Sequence, residues 1–461
     1  MAVSVSRKIA FDVLHRVEAE GAYASDVLHA ELDVGPAAAK LKPQDAALAT
    51  ELTMGVLRWR RLLDFLLERA LKKSVERLDL PVALALRMGA YQLRFLEKVP
   101  ARAAVNESVE LVKTARKTSA ASLVNAVLHK LTPEAKSPAE NHLPPNLSPA
   151  ERLGILHSHP TWMVQRWLTQ LGETRTIALL EENNRAPRLS CALHNASRRD
   201  EILRGLEAAG MRVEPGQLLK TAFSVSGGSP VRTEAFRAGL MSIQDEASQA
   251  IPLLLDVHTR DRVLDLCAAP GGKTPALIRA AGTKGFIVAT DRHAHRLRAM
   301  QMQFKRLGLA DAQLVELDAA QPLPFRVDFD RILVDAPCSG TGTLARHPEI
   351  RWRLRPEQLA ESREQQSRML RMALANLARG GRLVYSTCSI EPEENEDVIA
   401  EVLKNTPTAR RVGTSEATRT LDPHLSPRAD SSTLFTEDGY FRTSPSEHHT
   451  DGFFAALLER I

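Results

Sequence analysis

Five short apolar runs between residues 262 and 388 constrain the fold of this chain more than any other feature. Each run is followed by a loop, and stretches with helical patterning separate one run from the next. This alternation predicts buried strands of βαβ units in a parallel sheet, with the carboxyl ends of the strands at one edge. The runs are RVLDLC (262–267), GFIVATD (285–291), AQLVELD (312–318), RILVDAP (331–337) and GRLVYSTC (381–388).

The segment beyond these runs completes the predicted domain. GYFRTSPSEHHTDGFFAALLERI ends the sequence and predicts two closing strands around a turn. The intervening stretch 405–434 is polar and is predicted to be a loop. We therefore assign an α/β domain to residues 236–461.

The first 131 residues show a different pattern, with apolar residues at helical spacing and no strand signal. The spacing predicts a bundle of five to seven helices, assigned to residues 1–138. Residues 132–151 carry five prolines and are predicted to be a linker or domain boundary. Residues 152–235 mix helix-like and strand-like segments, which predicts a small α+β module assigned to 150–235.

Composition narrows the class of protein. The chain has 461 residues, a net charge of +5 and a pI of about 9.0, which permits a nucleic-acid partner without requiring one. Neither a signal peptide nor a run of about 18 apolar residues is present, so no membrane association is expected. The four cysteines fit neither a disulfide framework nor a zinc site, which predicts a reducing, cytoplasmic location and no bound metal.

The loop after the first predicted strand, DLCAAPGGKT (265–274), lies where α/β folds bind ligands. It is not a P-loop, because Cys267 stands where that motif requires glycine. The next three strands end in Asp291, Asp318 and Asp335. A carboxylate about twenty residues beyond the glycines suits ribose hydroxyls, which favours an adenosyl ligand without a polyphosphate. The alternatives are a turn without a ligand and aspartates that cap helices.

Three of the four cysteines, Cys267, Cys338 and Cys388, end predicted strands at the same edge. A lone cysteine is most often a buried structural residue, but three at one edge favour chemistry. Carbon 5 of a pyrimidine is a poor nucleophile, and a thiolate that adds to carbon 6 activates it. The small residues after Cys338 are predicted to leave room for an extruded base.

The motifs DLCAAPGGKT, DAPCSGTG and YSTCSI, in this order, resemble the RNA cytosine-5 methyltransferases that use S-adenosylmethionine. LRWRRLLDFLL and RAAVNESVELVK resemble the NusB-type RNA-binding domain, and ARHPEIRWR and TDGFFAALL also fit. The combination is similar to the RsmB family, which acts on a cytidine of bacterial 16S (small-subunit) rRNA. This resemblance implies a NusB-like helical domain, a small α+β RNA-binding module and a Rossmann-like class I methyltransferase domain.

The resemblance also implies roles for individual residues. Cys388 corresponds to the nucleophile and Cys338 to the thiol that assists product release. Asp335 would contact the pyrimidine ring or the cofactor, and Lys273 would lie near the base. A cytoplasmic monomer that binds 16S rRNA and S-adenosylmethionine is expected. The implied cofactor contacts are Cys267, Ala268, Ala269, Pro270, Gly271, Gly272, Lys273, Asp291, Asp318 and Asp335.

Two tryptophans stand among arginines and are candidate RNA contacts. Trp59, in LRWRR, is better explained as a core anchor on a solvated helix. Trp352, in RHPEIRWRLR, follows the second cysteine motif directly, so this segment is predicted to contact RNA. A basic face on the bundle is also predicted, formed by Lys72, Lys73, Lys113, Arg116 and Lys117.

Three other functions remain open. A DNA cytosine-5 methyltransferase would use the Pro-Cys thiol as nucleophile, and STCSI argues against it. The others are an enzyme of the same class that acts on another RNA, such as tRNA, and a non-catalytic NusB-like RNA-binding factor.

Adjacent His448 and His449 predict a solvated turn rather than a metal site. The sequence does not identify the target nucleotide.

Overall fold

A computed structural model describes residues 3–34, 41–309 and 312–461, so a few residues of the predicted bundle lie outside it. The chain forms two compact units. The helical unit comprises Met1–Ala186 together with the separate segment Leu344–Arg353. The sheet unit comprises Pro187–Thr343 and Leu354–Ile461.

The helical unit confirms the predicted all-α bundle. In its first 131 residues the described part contains seven α-helices and no strand. Helix α5 lies at the centre, because 12 of its 16 residues are buried, in an unbroken run from Val82 to Leu93. The helices are α1 (Val5–Glu20), α2 (Ala24–His29), α3 (Pro43–Arg58), α4 (Arg60–Leu71), α5 (Leu80–Phe95), α6 (Ala101–Thr114), α7 (Ala121–Leu131), α8 (Pro149–Leu156) and α9 (Thr161–Asn184).

The proline-rich segment does not separate the two units. It contains no α-helix before α8, as its prolines require, but it packs within the helical unit. Ala135 and Ala139 are buried, and Arg94 Nη1 donates to Ala135 O at 2.9 Å. The unit boundary follows Ala186 and thus lies inside the predicted 150–235 module, because α8 and α9 belong to the helical unit.

The sheet unit begins with a four-stranded antiparallel sheet in the order β2-β3-β1-β4. Its βαββαβ sequence and this order define a ferredoxin-like fold. Cys191 lies in its core, where burial raises the pKa of the thiol to about 12, so this cysteine is structural. The elements are β1 (Leu189–Leu193), α10 (Arg199–Ala208), β2 (Arg212–Pro215), β3 (Ala222–Ser226), α11 (Glu234–Arg237) and β4 (Met241–Ile243).

An eight-stranded sheet forms the rest of the sheet unit, in the order β10-β12-β9-β8-β5-β6-β7 with β11 paired to β12. The strands from β5 to β9 run parallel, as predicted, whereas β10, β11 and β12 pair antiparallel. This is a Rossmann-like α/β fold. Its strands are β5 (Arg262–Asp265), β6 (Phe286–Asp291), β7 (Gln313–Glu316), β8 (Phe329–Asp335), β9 (Leu377–Thr387), β10 (Ala409–Arg411), β11 (Phe441–Arg442) and β12 (Phe454–Arg460).

Helices cover both faces of this sheet, which explains why its central strands are apolar throughout. One short helix of this stretch, α15, belongs to the helical unit. The helices are α12 (Glu246–Leu254), α13 (Thr274–Ala281), α14 (Ala294–Arg306), α15 (Ile350–Arg353), α16 (Glu357–Ala375), α17 (Glu396–Lys404), α18 (Thr414–Leu421), α19 (Ser431–Leu434) and α20 (Pro445–His448).

The prediction that 405–434 is a loop is wrong. The segment contains β10, α18 and α19. Ala417 and Leu421, four residues apart, and Leu434 are buried against the sheet. These few apolar positions order an otherwise polar stretch, because one buried side chain per turn is enough to dock a short helix.

Candidate active site

The functional residues lie where the carboxyl ends of the parallel strands meet. Strands β8 and β9 are neighbours, and their last paired residues are Asp335 and Ser386. Cys338 follows the first of these by three residues and Cys388 follows the second by two. Both thiols therefore leave adjacent strands at the same edge, as the sequence predicted.

The two thiols are in contact. Cys338 Sγ and Cys388 Sγ are 3.4 Å apart, and both residues are partly exposed. The hydrogen bond with Cys388, followed by burial, raises the pKa of Cys338 well above its ordinary value. Cys338 is therefore the thiol of the pair that this environment holds in its protonated form.

Lys273 and Asp335 form an ion pair beside the thiols. Lys273 Nζ lies 2.5 Å from Asp335 Oδ2, and the Ser386 hydroxyl donates to Asp335 Oδ1 at 2.8 Å. The Lys273 ammonium also lies 5.1 Å from the centre of the Phe453 ring. Both predicted residues thus reach the same edge, with their side chains held in place by neighbours.

The loop between β5 and α13 forms a cradle with exposed backbone. Gly271 has a φ of +95°, and a Cβ there would lie 2.7 Å from Met300 Cγ, so only glycine suits the position. Ala268 N donates to Thr290 O at 2.8 Å, and Arg296 donates to Ala269 O at 2.8 Å. Pro270 and Gly272 are exposed. The shape suits close approach of a nucleoside ligand.

The strand-terminal aspartates are bound by their own loops. Buried Asp291 accepts the backbone N–H of His293 at 2.9 Å and pairs with Arg296 at 3.2 Å. Asp318 accepts the N–H of Ala320 at 3.0 Å. A carboxylate accepts more than two hydrogen bonds, so these contacts are compatible with ribose hydroxyls as further donors. The roles of both residues toward a cofactor stay predictions.

Asp265 is a polar residue of this edge that the sequence analysis did not single out. It is buried, its Oδ2 accepts the Thr274 hydroxyl at 2.6 Å, and its Oδ1 has no hydrogen-bond partner. Burial raises the pKa of Asp265 to about 7. Burial also raises the pKa of Cys267, two residues on, well above the usual range, so this thiol is not a nucleophile.

Glu394 was also missed. It is buried and accepts the N–H of Ser339 at 2.8 Å, directly beside Cys338. Gln366 of α16 donates to Pro337 O at 2.9 Å, on the other side of that cysteine. The acidic run EPEEN (391–395) gave no indication of this, because such runs are usually solvated.

Not all of the small residues after Cys338 leave space for a base. A Cβ on Gly342 would lie 2.0 Å from Gly452 O, and Gly342 N donates to Cys388 O at 2.9 Å. At this position glycine permits the backbone to approach two other loops. The prediction of room for a base is therefore wrong for Gly342.

The prediction that the segment around Trp352 contacts RNA is wrong for Arg351 and stays a prediction for Trp352 and Arg353, which are partly or fully exposed. Arg351 is fully buried and donates to Asn183 O at 3.0 Å and Ser158 O at 3.1 Å, and burial lowers its pKa to about 9. Trp352 Nε1 donates to Leu57 O at 2.7 Å, and Arg353 donates to Val17 O at 2.6 Å. These side chains anchor the segment within the helical unit.

The residues around Trp59 are structural, as the alternative explanation held. Trp59 stacks on Phe95 with ring centres 4.9 Å apart. Arg58 is buried, and Arg61 donates to His159 O at 2.5 Å. The proposed basic face remains a prediction, although Lys72, Lys73, Lys113 and Arg116 are exposed and Lys117 pairs with Asp79 at 2.7 Å.

The part of the chain that the structure describes contains neither a metal-binding cluster nor a helix able to cross a membrane. Within 3–34, 41–309 and 312–461, no group of three His, Cys, Asp or Glu residues could hold a metal ion. His448 Nδ1 accepts the N–H of Ser444 at 3.0 Å in the turn before β12. In the same part of the chain, no helix is both long and apolar enough to span a bilayer.

A Rossmann-like sheet with a glycine-containing loop after its first strand is typical of enzymes that bind a nucleoside cofactor at the carboxyl ends of the strands, and the family matches identify an S-adenosylmethionine-dependent methyltransferase. Family models agree: "16S rRNA methyltransferase RsmB/F" matches residues 252–459, "NusB family" matches 4–133, and a ferredoxin-like domain of RsmF/B-like methyltransferases matches 159–232. The NusB-like and ferredoxin-like domains confirm the predicted fold class.

Individual relatives give the same result. A probable ribosomal RNA small subunit methyltransferase B from Bacillus subtilis is 32% identical, with 98% of each chain covered. Ribosomal RNA small subunit methyltransferase B from Citrobacter koseri is 32% identical over 88% of this chain and 92% of its own. A solved methyltransferase homologue from Pyrococcus horikoshii is 30% identical with a TM-score of 0.56, over 68% of this chain and all of its own. The chain belongs to the RsmB/F family of 16S rRNA methyltransferases.

Proposed function

We propose that this enzyme methylates carbon 5 of a cytidine in 16S rRNA, through a covalent adduct between Cys388 and carbon 6 of the base. The observation that carries the proposal is the 3.4 Å contact between Cys338 Sγ and Cys388 Sγ at the ends of adjacent parallel strands. Two thiols at one site match a reaction that needs one nucleophile and one base. The names of the relatives, which specify small-subunit rRNA, support the substrate.

The chemistry divides between the two thiols. The Cys388 thiolate adds to carbon 6, and the electron pair of the 5,6 double bond makes carbon 5 nucleophilic. Bound S-adenosylmethionine supplies the methyl group. Cys338, as a thiolate, then takes the proton of carbon 5. The 5,6 double bond reforms, the bond between carbon 6 and sulfur breaks, and its electron pair returns to Cys388.

Lys273 and Asp335 act on the base rather than on the methyl group in this proposal. A pyrimidine that carries the adduct gains negative charge on its ring, and a nearby donor stabilises it. The Lys273 ammonium can supply that donor, and its 2.5 Å ion pair with the Asp335 carboxylate holds it at the strand edge that carries the thiols. The loop from Cys267 to Lys273, with Asp291 and Asp318, would hold the cofactor.

The thiol assignment predicts two different phenotypes. Cys388→Ala abolishes methyl transfer, because no nucleophile remains, and Cys338→Ala leaves the enzyme covalently bound to methylated RNA, because nothing removes the carbon-5 proton. Labelled S-adenosylmethionine and deproteinised small-subunit RNA measure the first, and a denaturing gel measures the second. Normal turnover by Cys388→Ala, or no adduct with Cys338→Ala, contradicts the assignment.

The same assay compares other substrates. Label at carbon 5 of cytidine in small-subunit RNA, and none in tRNA or DNA, is the expected result. Label in tRNA or DNA, with none in small-subunit RNA, would identify that other nucleic acid as the substrate. No label in any of the three would favour a non-catalytic RNA-binding factor.

A further inference from the structure

Two cysteine–serine steps face each other beyond the ends of β8 and β9. Cys338 precedes Ser339, and Cys388 precedes Ser389. The two sulfurs are 3.4 Å apart and the two hydroxyl oxygens are 3.2 Å apart. The loops are therefore joined at two successive positions, so a shift of one serine moves the adjacent sulfur.

Glu394 lies under the loop that carries Cys338 and is fully buried. Its Oε1 accepts the Ser339 N–H at 2.8 Å and Gln366 Nε2 at 3.3 Å, and its Oε2 accepts the Ser339 hydroxyl. Gln366 also donates to Pro337 O at 2.9 Å. The backbone is thus held on both sides of Cys338, at Pro337 and at Ser339.

The segment that carries Glu394 is anchored to the other cysteine loop. The Tyr385 hydroxyl of β9 donates to Glu394 O at 2.7 Å. The next residue, Asn395, donates to Ser389 O at 2.9 Å and accepts the Thr387 hydroxyl at 2.5 Å. Glu394 therefore connects the Cys338 loop to the strand and loop of Cys388.

The charge of Glu394 acts on Cys338. The titratable groups that face this thiol are Cys388 from the loop after β9, Glu394 from the turn before α17, and Tyr385 from β9. After the hydrogen bond with Cys388 and burial, the negative charges of Cys388 and Glu394 also raise the pKa of Cys338. A buried anion beside a thiol favours its protonated form.

We propose that Glu394 is a positioning residue for the two cysteines: its carboxylate holds the Cys338 loop against the Cys388 loop, so that Cys338 reaches carbon 5 in product release. This inference rests on the proposed function. Cys338 stays protonated until the adduct has formed, and Cys388 is the sulfur that attacks. The Cys338 proton leaves to solvent once the adduct has formed, and the resulting thiolate accepts the carbon-5 proton.

The charge is tested with Glu394→Gln, whose amide oxygen still accepts the Ser339 N–H. Without the negative charge Cys338 ionises more easily, so the pH midpoint of the release rate moves lower by about one unit. Release is measured as the decay of the gel-stable adduct over a pH series. An unchanged midpoint overturns the charge role, because a purely structural residue would not move it.

The positioning is tested with Glu394→Ala, which removes both contacts to Ser339. The adduct is expected to accumulate and decay about 10- to 100-fold more slowly, because Cys338 is displaced from carbon 5. Ser339→Ala removes the hydroxyl contact alone, so a smaller decrease in the release rate is expected. This variant tests the positioning role if Glu394→Ala does not fold. Release at the wild-type rate in Ser339→Ala and in folded Glu394→Ala overturns the positioning role.

Asp397→Asn is the matched control. Asp397 lies three residues beyond Glu394, is 44% exposed and pairs with Arg363 at 3.6 Å. Its loss removes one negative charge from the same region without a contact to either cysteine loop, so the pH midpoint is expected to stay unchanged. A failure of the proposed function can be distinguished from a failure of this inference. Cys388→Ala and Cys338→Ala test the proposed function alone, because Glu394 is intact in both proteins.

Discussion

At the scale of single residues, the buried carboxyl group of Asp265 makes the stability of the folded protein depend on pH. Its folded-state pKa of about 7 lies above the ordinary value of 3.8, because burial disfavours the charged form. The folded protein therefore holds this proton more tightly than the unfolded chain does. The resulting stabilisation is fully present below about pH 3.8 and is lost as the pH rises through about 7.

Asp265→Asn is expected to remove this pH dependence, because the amide is neutral throughout and its oxygen still accepts the Thr274 hydroxyl. Relative to wild type, the variant should gain roughly 3 kcal/mol of unfolding free energy between pH 4 and pH 8. Thermal unfolding of both proteins across this range measures the gain. Asp200→Asn, at an exposed position, should show none. An equal difference at both pH values would contradict the prediction.

The residues of the site could be predicted from the sequence where they stand in short motifs, and not elsewhere. Cys338, Cys388, Asp335 and Lys273 stand in short motifs, and the structure brings them to one edge. Glu394 lies within an acidic run that resembles a solvated surface segment. Its burial depends on donors from Ser339 and Gln366, distant in sequence, which local patterning does not encode.

At the scale of elements, the loop after β8 depends on close backbone packing. Gly342→Ala would place a Cβ 2.0 Å from Gly452 O and 2.9 Å from Cys388 O, both backbone atoms. The loop would have to move, and Cys338 with it. We expect single-turnover methyl transfer to fall about 100-fold, with binding of S-adenosylmethionine retained.

Gly413→Ala is the control for this change, because nothing lies within 4 Å of the added Cβ there. Its methyl transfer rate should match wild type. A Gly342→Ala enzyme that transfers methyl groups as fast as wild type would show that the close approach has no functional role.

Helices and strands could be predicted from the sequence where their apolar residues recur in a regular pattern. The five apolar runs became β5 to β9, and the helical spacing before residue 131 became α1 to α7. The segment 405–434 failed because α18 and α19 are short and use few buried positions. Single-sequence patterning detects a helix by several turns of repeat, and these helices have too few.

At the scale of the whole molecule, the separate segment Leu344–Arg353 belongs to the helical unit. Arg351 donates to four carbonyl groups and to Asn184 Oδ1 from a fully buried position. Arg351→Met would remove these five hydrogen bonds, and a buried acceptor left without any donor costs about 1–3 kcal/mol. The midpoint of thermal unfolding, followed by helical circular dichroism, should fall by several degrees.

Arg355→Met tests whether the loss is specific, because Arg355 is exposed and two residues beyond the segment. It should unfold at the wild-type temperature. If Arg351→Met did so as well, the buried hydrogen bonds would contribute no net stability. The sequence suggested RNA contact here because arginine and tryptophan serve both surfaces and cores, and only the packing distinguishes them.

Because the segment Leu344–Arg353 belongs to the helical unit, no single cut in the chain separates the two units. A fragment that starts at Pro187 retains ten residues whose folding partner is missing, including the apolar ring of Trp352 and the guanidinium of Arg351. A recombination event that transplanted the methyltransferase portion alone would have to replace these ten residues as well. Removal of Met1–Ala186 alone would leave Arg351 and Trp352 without the carbonyl groups of Ser158 and Leu57 to which they donate.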